Sequence, residues 1–139
     1  MPPTPHAVDA HPPREIAELV ESLGVAKAHT DTLTLFVLAV LAGAFISLGA
    51  LFHTVVISDT GLGFGMTRLV GGLSFCLGLV LVVVAGAELF TGNNLIAMAW
   101  ASGLVDTRAL VRHWEIAYLG NVVGCLGTVL LVVFADLGA

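Results

Sequence analysis

From Leu69 to Leu104 the chain carries no basic residue and a single acid, Glu88. These 36 residues are too many for one straight helix across about 30 Å of hydrocarbon at about 1.5 Å per residue. They also lack a polar turn between two full crossings. The polar residues gather instead in one stretch, Glu88-Leu89-Phe90-Thr91-Gly92-Asn93-Asn94. A helix, an irregular elbow over 88–94 and a second, shorter helix meet both constraints. Thr91, Asn93 and Asn94 are suitable caps for the second piece. An ionisable residue at membrane depth marks a functional site by default, and an interrupted apolar segment is a sequence pointer to a transport site.

The broad class follows from charge as much as from apolar content. Residues are 58% hydrophobic and only 11% charged, against about a quarter charged in soluble domains. A soluble helical bundle needs charged outer faces, and the central blocks have none. The reading is an all-α integral membrane protein. Five Lys and Arg residues in total exclude a nucleic-acid interface. Cys76 and Cys125 lie within apolar runs as small buried hydrophobes, without neighbours at metal-ligand spacing. No nucleophile–base pair, metal cluster or cofactor loop stands out, so the chain reads as neither an enzyme nor a metal or cofactor protein. The first 30 residues lack an apolar signal region, which leaves insertion to the spans themselves.

Taken in order, residues 1–13 hold all five prolines and read as a flexible tail. Residues 14–30 read as an amphipathic cytoplasmic helix. Ile16, Leu19, Val20 and Leu23 share one face, with Glu15, Glu18 and Glu21 opposite. That helix lies along the membrane, caps a pore mouth or shields the end of the bundle, the last reading being preferred. Residues 31–139 form the transmembrane domain, with spans over 32–58, 69–104 (broken near 88–94) and 116–135. Ala39, Gly43 and Ser47 make a small-residue ridge on the first span. Gly120 and Gly124 make another on the third, with Gly127 extending it. Asn121 is expected to hydrogen-bond between helices. Trp114 and Tyr118 suit an interfacial aromatic belt, His113 a solvated interface, and His53 a backbone or water bond. Arg14, Lys27, Arg108 and Arg112 on one side against Arg68 on the other place the N-terminus in the cytoplasm.

The elbow has direct chemical consequences. A second half-helix starting there points unpaired N–H groups into the membrane, an arrangement that favours anions. Thr91 adds a hydroxyl donor at the same depth. Leu89 and Phe90 narrow the passage, while Phe75 and Leu79, one turn apart upstream, make a second apolar constriction. Glu88 is repulsive to anions, so the preferred reading turns it away from the path, holding the loop through backbone N–H groups. Gly92, Asn93 and Asn94 complete that support.

Gly86-Ala87-Glu88-Leu89-Phe90-Thr91-Gly92, Trp100-Ala101-Ser102-Gly103 and the stretch from Trp114 to Gly120-Asn121 together resemble the formate/nitrite transporter family. Gly24-Val25-Ala26-Lys27 is similar to that family's entry segment. The resemblance covers the chain from about residue 14. It implies one half of an aquaporin-like helical bundle with an interrupted second transmembrane helix. It further implies a homopentamer, a bacterial-type inner membrane and a separate pore per protomer for small monovalent anions, formate first, nitrite and related weak acids next. Leu89, Phe90 and Thr91 match the family's loop positions; Phe75 and Leu79 match its constriction positions. Members have six spans in two inverted halves, and the three spans here match the first. The second half's pore histidine and anion-drawing basic residue have no counterpart. The far wall of the pore is expected from the rest of a longer chain or from another subunit. The competing reading is a non-transporting membrane-complex subunit whose small-residue ridges only pack against partners.

Overall fold

The computed structural model describes residues 11–136. Its elements are α1 (Pro13–Ala28), α2 (Thr32–Ile57), α3 (Phe64–Ala85), α4 (Phe90–Asn93), α5 (Ile96–Ala101) and α6 (Thr107–Asp136). Among the described residues no strand occurs, and α2, α3 and α6 are long and apolar enough to cross a membrane. Most of the tail read over 1–13, residues 1–10, lies outside the described residues. Pro13 itself opens α1, where its missing N–H leaves no bond unmade.

α2 is the central element, with α6 on one side and α3 on the other. Asp31 starts it: the side chain accepts the Leu33 and Thr34 amides, each at 3.1 Å. The α2–α6 seam is made by backbone approach. Any side chain at Gly43 would collide with the Asn121 carbonyl, and one at Gly124 with the Val40 carbonyl. Small residues at these crossings gain the close van der Waals contact that replaces the hydrophobic effect in lipid. Gly127 does not extend the seam, contrary to the sequence reading, because nothing lies near it. Beyond Ser47 the two helices diverge around an apolar groove of about 250 Å³. On the other side Gly49 meets Gly78, and the His53 ring bonds the Gly71 carbonyl at 2.7 Å.

Two helices begin earlier than their apolar runs. α3 starts at Phe64, not Leu69, and carries Arg68 with its guanidinium 5.3 Å from the Phe64 ring. α6 starts at Thr107, not near Ile116. Its first turns include Arg112, whose guanidinium bonds the Thr30 carbonyl (3.0 Å) and the Thr32 hydroxyl (2.8 Å). A hydropathy criterion finds the membrane-depth part of a helix and misses the wetted turn before it.

α1 is anchored by its C-terminal half. Gly24 sits against Ala99 and Ile96 of α5. Ala28 is buried in a cluster with Ile96, Ala99, Val105 and Leu110. Three of its apolar residues, Ile16, Leu19 and Leu23, stay exposed. The helix closes one end of the bundle and leaves half of its apolar face uncovered.

Candidate functional site: the elbow between α3 and α5

The elbow begins where α3 is forced to stop. Gly86 adopts φ +64°, a left-handed conformation open to glycine at little cost. Its N–H returns to Val83 O at 3.3 Å and that of Ala87 to Val82 O at 3.0 Å, a Schellman ending. The chain then crosses to α2, where the Glu88 N–H bonds Leu38 O at 3.2 Å. Leu89 is extended, and α4 makes one turn before a second turn at Asn94 leads into α5. The second half is two short helices joined through Asn94 and Leu95, both in right-handed helical conformation, with tighter bonds from Ala97 N to Asn94 O and from Met98 N to Leu95 O, each 3.0 Å.

Its first turn is capped from outside. No side chain within the elbow caps α4, so Thr91, Asn93 and Asn94 do not play that part. The cap comes from Asn121 on α6, whose Oδ1 accepts the Phe90 N–H at 2.9 Å. The Asn121 amide nitrogen donates to Glu88 O at 3.0 Å and to Ala39 O at 2.8 Å. One side chain thus ties the elbow to α2 and α6. Of the N–H groups expected to face an anion, that of Phe90 is taken. Those of Thr91 and Gly92 make no hydrogen bond among the described residues.

The underside of the elbow is polar and buried. Glu88 Oε2 accepts the Lys27 ammonium at 2.6 Å, and Lys27 also reaches Asn93 Oδ1 at 3.2 Å. The expected support of Glu88 by backbone N–H groups is replaced by this ion pair. The pair carries its own charge compensation into a site where Glu88 is 9% exposed. Asn93 is 1% exposed, and its carbonyl accepts the Trp114 indole N–H at 3.1 Å. His113, read from sequence as a solvated interface residue, is 1% exposed. Its neighbours include the charges of Glu88, Lys27 and Arg112. It lies on the face of α6 continued by Ala117, Gly120 and Gly124, all buried.

The upper side faces an open cleft of about 330 Å³ whose lining includes Phe90, Thr91, Tyr118, Asn121 and Cys125. Phe90 is fixed by two edge-on aromatic contacts, to Tyr118 (centroids 5.6 Å apart) and Trp114 (6.3 Å). These two aromatics, expected from sequence at an interfacial belt, pack on the elbow. Of the residues singled out, Phe90 and Thr91 share the cleft, whereas Leu89 is half-buried beside it. Glu88 and Asn93 form the underside. Gly92 lines a smaller pocket with Lys27 on the α1 side, and Asn94 is exposed between α4 and α5. Phe75 and Leu79 lie on an uncovered face of α3, 40% and 52% exposed, away from the cleft. Lys27, Asn121 and Trp114 are the partners for which the sequence reading had no place at the elbow. Trp114, Tyr118, Asn121 and Cys125 recur at helical spacing, the one signal that would have found most of them.

In chemical terms the cleft joins the hydroxyl of Thr91 and an aromatic wall, with the one acid turned to the other side. It suits a small anion with an apolar edge.

A family model described as formate/nitrite transporter matches residues 14–138. The formate channel FocA of Escherichia coli (strain K12) is 46% identical over 121 residues, covering 86% of this chain and 42% of that protein. FocA of Haemophilus influenzae is 38% identical over 115 residues, covering 82% and 40%. The uncharacterized transporter YrhG of Bacillus subtilis is 41% identical over 116 residues, covering 82% and 44%. The chain spans less than half the length of these relatives.

Proposed function

The chain belongs to the formate/nitrite transporter family, and we propose that its elbow forms one wall of a passage for small monovalent anions, formate first among them. The reading is of one interrupted membrane crossing, α3 through α5, with the interruption as the working part. The observation that supports it most is the cleft holding the Thr91 hydroxyl and the Phe90 ring side by side. Glu88, neutralised by Lys27 beneath, adds no net repulsion there. Irregular backbone at membrane depth is tolerated where it is buried or lines a wet cavity, and this elbow does both. Leu89, Phe75 and Leu79 narrow the passage once its opposite wall is in place. That wall is supplied by further spans, in the same or a second polypeptide. The assembly is a homopentamer in a bacterial-type inner membrane with the N-terminus cytoplasmic, an orientation supported by Arg14, Lys27, Arg108 and Arg112 on one side against Arg68. The substrate class takes support from relatives named formate channels.

The packing-subunit alternative rests on small-residue ridges, and Gly43, Gly120 and Gly124 are already used between α2 and α6 of this chain. Radiolabelled formate uptake into proteoliposomes that hold this chain together with the spans supplying its opposite wall tests the proposal. Wild type is expected to carry formate above protein-free vesicles, and Thr91→Ala to slow it about tenfold, the loss of one donor to a charged ligand. Equal flux in both removes Thr91 from the path.

A further inference from the structure

We propose that Asn121 is the positioning residue of the elbow, and that it sets selectivity among small monocarboxylates without touching them. The inference rests on the passage reading above and adds the device that fixes the passage's width. Asn121 borders the cleft, yet its polar atoms face backbone. Its two N–H groups go to the Glu88 and Ala39 carbonyls, and its oxygen holds the Phe90 amide. An asparagine has two donors, so none is left for an anion. What it controls is where Phe90 and Thr91 stand.

The rest of the stripe explains why a single side chain has that authority. Trp114, Tyr118 and Asn121 lie at i, i+4 and i+7 of α6, hence on one face. Trp114 and Tyr118 grip the Phe90 ring edge-on, while Asn121 grips the Phe90 backbone. The ring is thus held at both ends against α6. Tethering through Glu88 O fixes the residue before Leu89 as well. The Ala39 bond sets this stripe relative to α2, at the seam where Gly120 is closest to Ala39. Without the Phe90 bond, α4 loses its cap and the ring is free to swing on its aromatic contacts alone. The opening would then admit anions larger than formate.

The test combines hydrogen exchange at individual amides with flux selectivity. In wild type, the Phe90 amide is expected to exchange at least about tenfold more slowly than those of Thr91 and Gly92, because it alone has a partner. Equal exchange at the three amides overturns the proposal without any variant. Asn121→Leu, similar in size, is expected to abolish the Phe90 protection. In proteoliposomes it should lower the formate-to-acetate flux ratio several-fold while formate still passes. Asn121→Gln keeps both the acceptor and the donors and should restore part of the protection and of the ratio, an outcome a mere volume-filling role does not give. Wild-type protection and wild-type selectivity in both variants overturn the proposal. Wild type inert to formate overturns the passage reading instead, and the exchange data then decide the clamp alone.

Discussion

Lys27 and Glu88 stand 61 residues apart in sequence and 2.6 Å apart in space. Removing one partner of such a pair leaves the other desolvated, which costs about 3–5 kcal/mol for a fully buried pair. Because the Lys27 side chain is 38% exposed, Lys27→Met is expected to cost less, about 1–3 kcal/mol. Glu88→Gln, which still accepts the Lys27 N–H, should cost less again. Denaturant unfolding in detergent, followed by tryptophan fluorescence, checks both singles, and the double variant should be less destabilised than their sum. Asp31 gives a residue-scale prediction of different sign structure. The Thr34 amide, then those of Leu33 and Thr32 together with the Thr34 hydroxyl, hold its carboxyl below the usual carboxylate range. Its folded pKa is depressed, so its stabilisation of α2 is fully present above the ordinary carboxylate value. It is lost as pH falls through the depressed one. Exchange at the Leu33 and Thr34 amides, corrected for intrinsic rate, should be flat at neutral pH and accelerate only at strongly acid pH. Asp31→Ala should show the fast rate throughout.

At the scale of elements, the α2–α6 seam decides whether the elbow has anything to dock against. Gly124→Leu is expected to destabilise by at least about 1–3 kcal/mol, since the neighbour is backbone and overpacking cannot be relieved by a rotamer change. Gly127→Ala, where nothing lies near, should be within about 0.5 kcal/mol of wild type. Detergent thermal unfolding compares the two. This contrast also shows where sequence reasoning stops. The spacing of Ile16, Leu19, Val20 and Leu23 and the uncharged run from Thr32 made α1 and α2 legible, because periodicity and hydropathy are local. The seam was legible at Gly43, Gly120 and Gly124 by spacing, but the divergence of the helices that frees Gly127 is a property of their crossing. At the elbow, the need for a break was plain from a single acid in 36 residues. Its partners were not: Lys27, Trp114 and Asn121 reach it from other helices, and no local pattern encodes such pairings. His113 was misplaced because Arg112-His113-Trp114-Glu115 looks aqueous when read linearly. Read at helical spacing, His113 continues the buried stripe of Ala117, Gly120 and Gly124.

The whole molecule has a clear division of labour. α2 is the scaffold, α6 presents two faces, and α1 closes one end. One face of α6 is small and meets α2; the other is aromatic and amide-bearing and holds the elbow. The polar groups are segregated accordingly, with the ion pair and buried amide below and the hydroxyl and ring above. Under the proposed function that segregation lets an acid sit beside an anion path without blocking it, and it is the central claim. Cysteine accessibility at the elbow tests it most directly, in membranes and without requiring net transport. Thr91→Cys in a Cys76→Ser, Cys125→Ser background is treated with a small anionic methanethiosulfonate, with and without formate. The account predicts rapid labelling that excess formate slows several-fold, while a cysteine at Asn93 on the underside stays unlabelled. A Thr91→Cys thiol that does not react, or that reacts at the same rate whether or not formate is present, would contradict it.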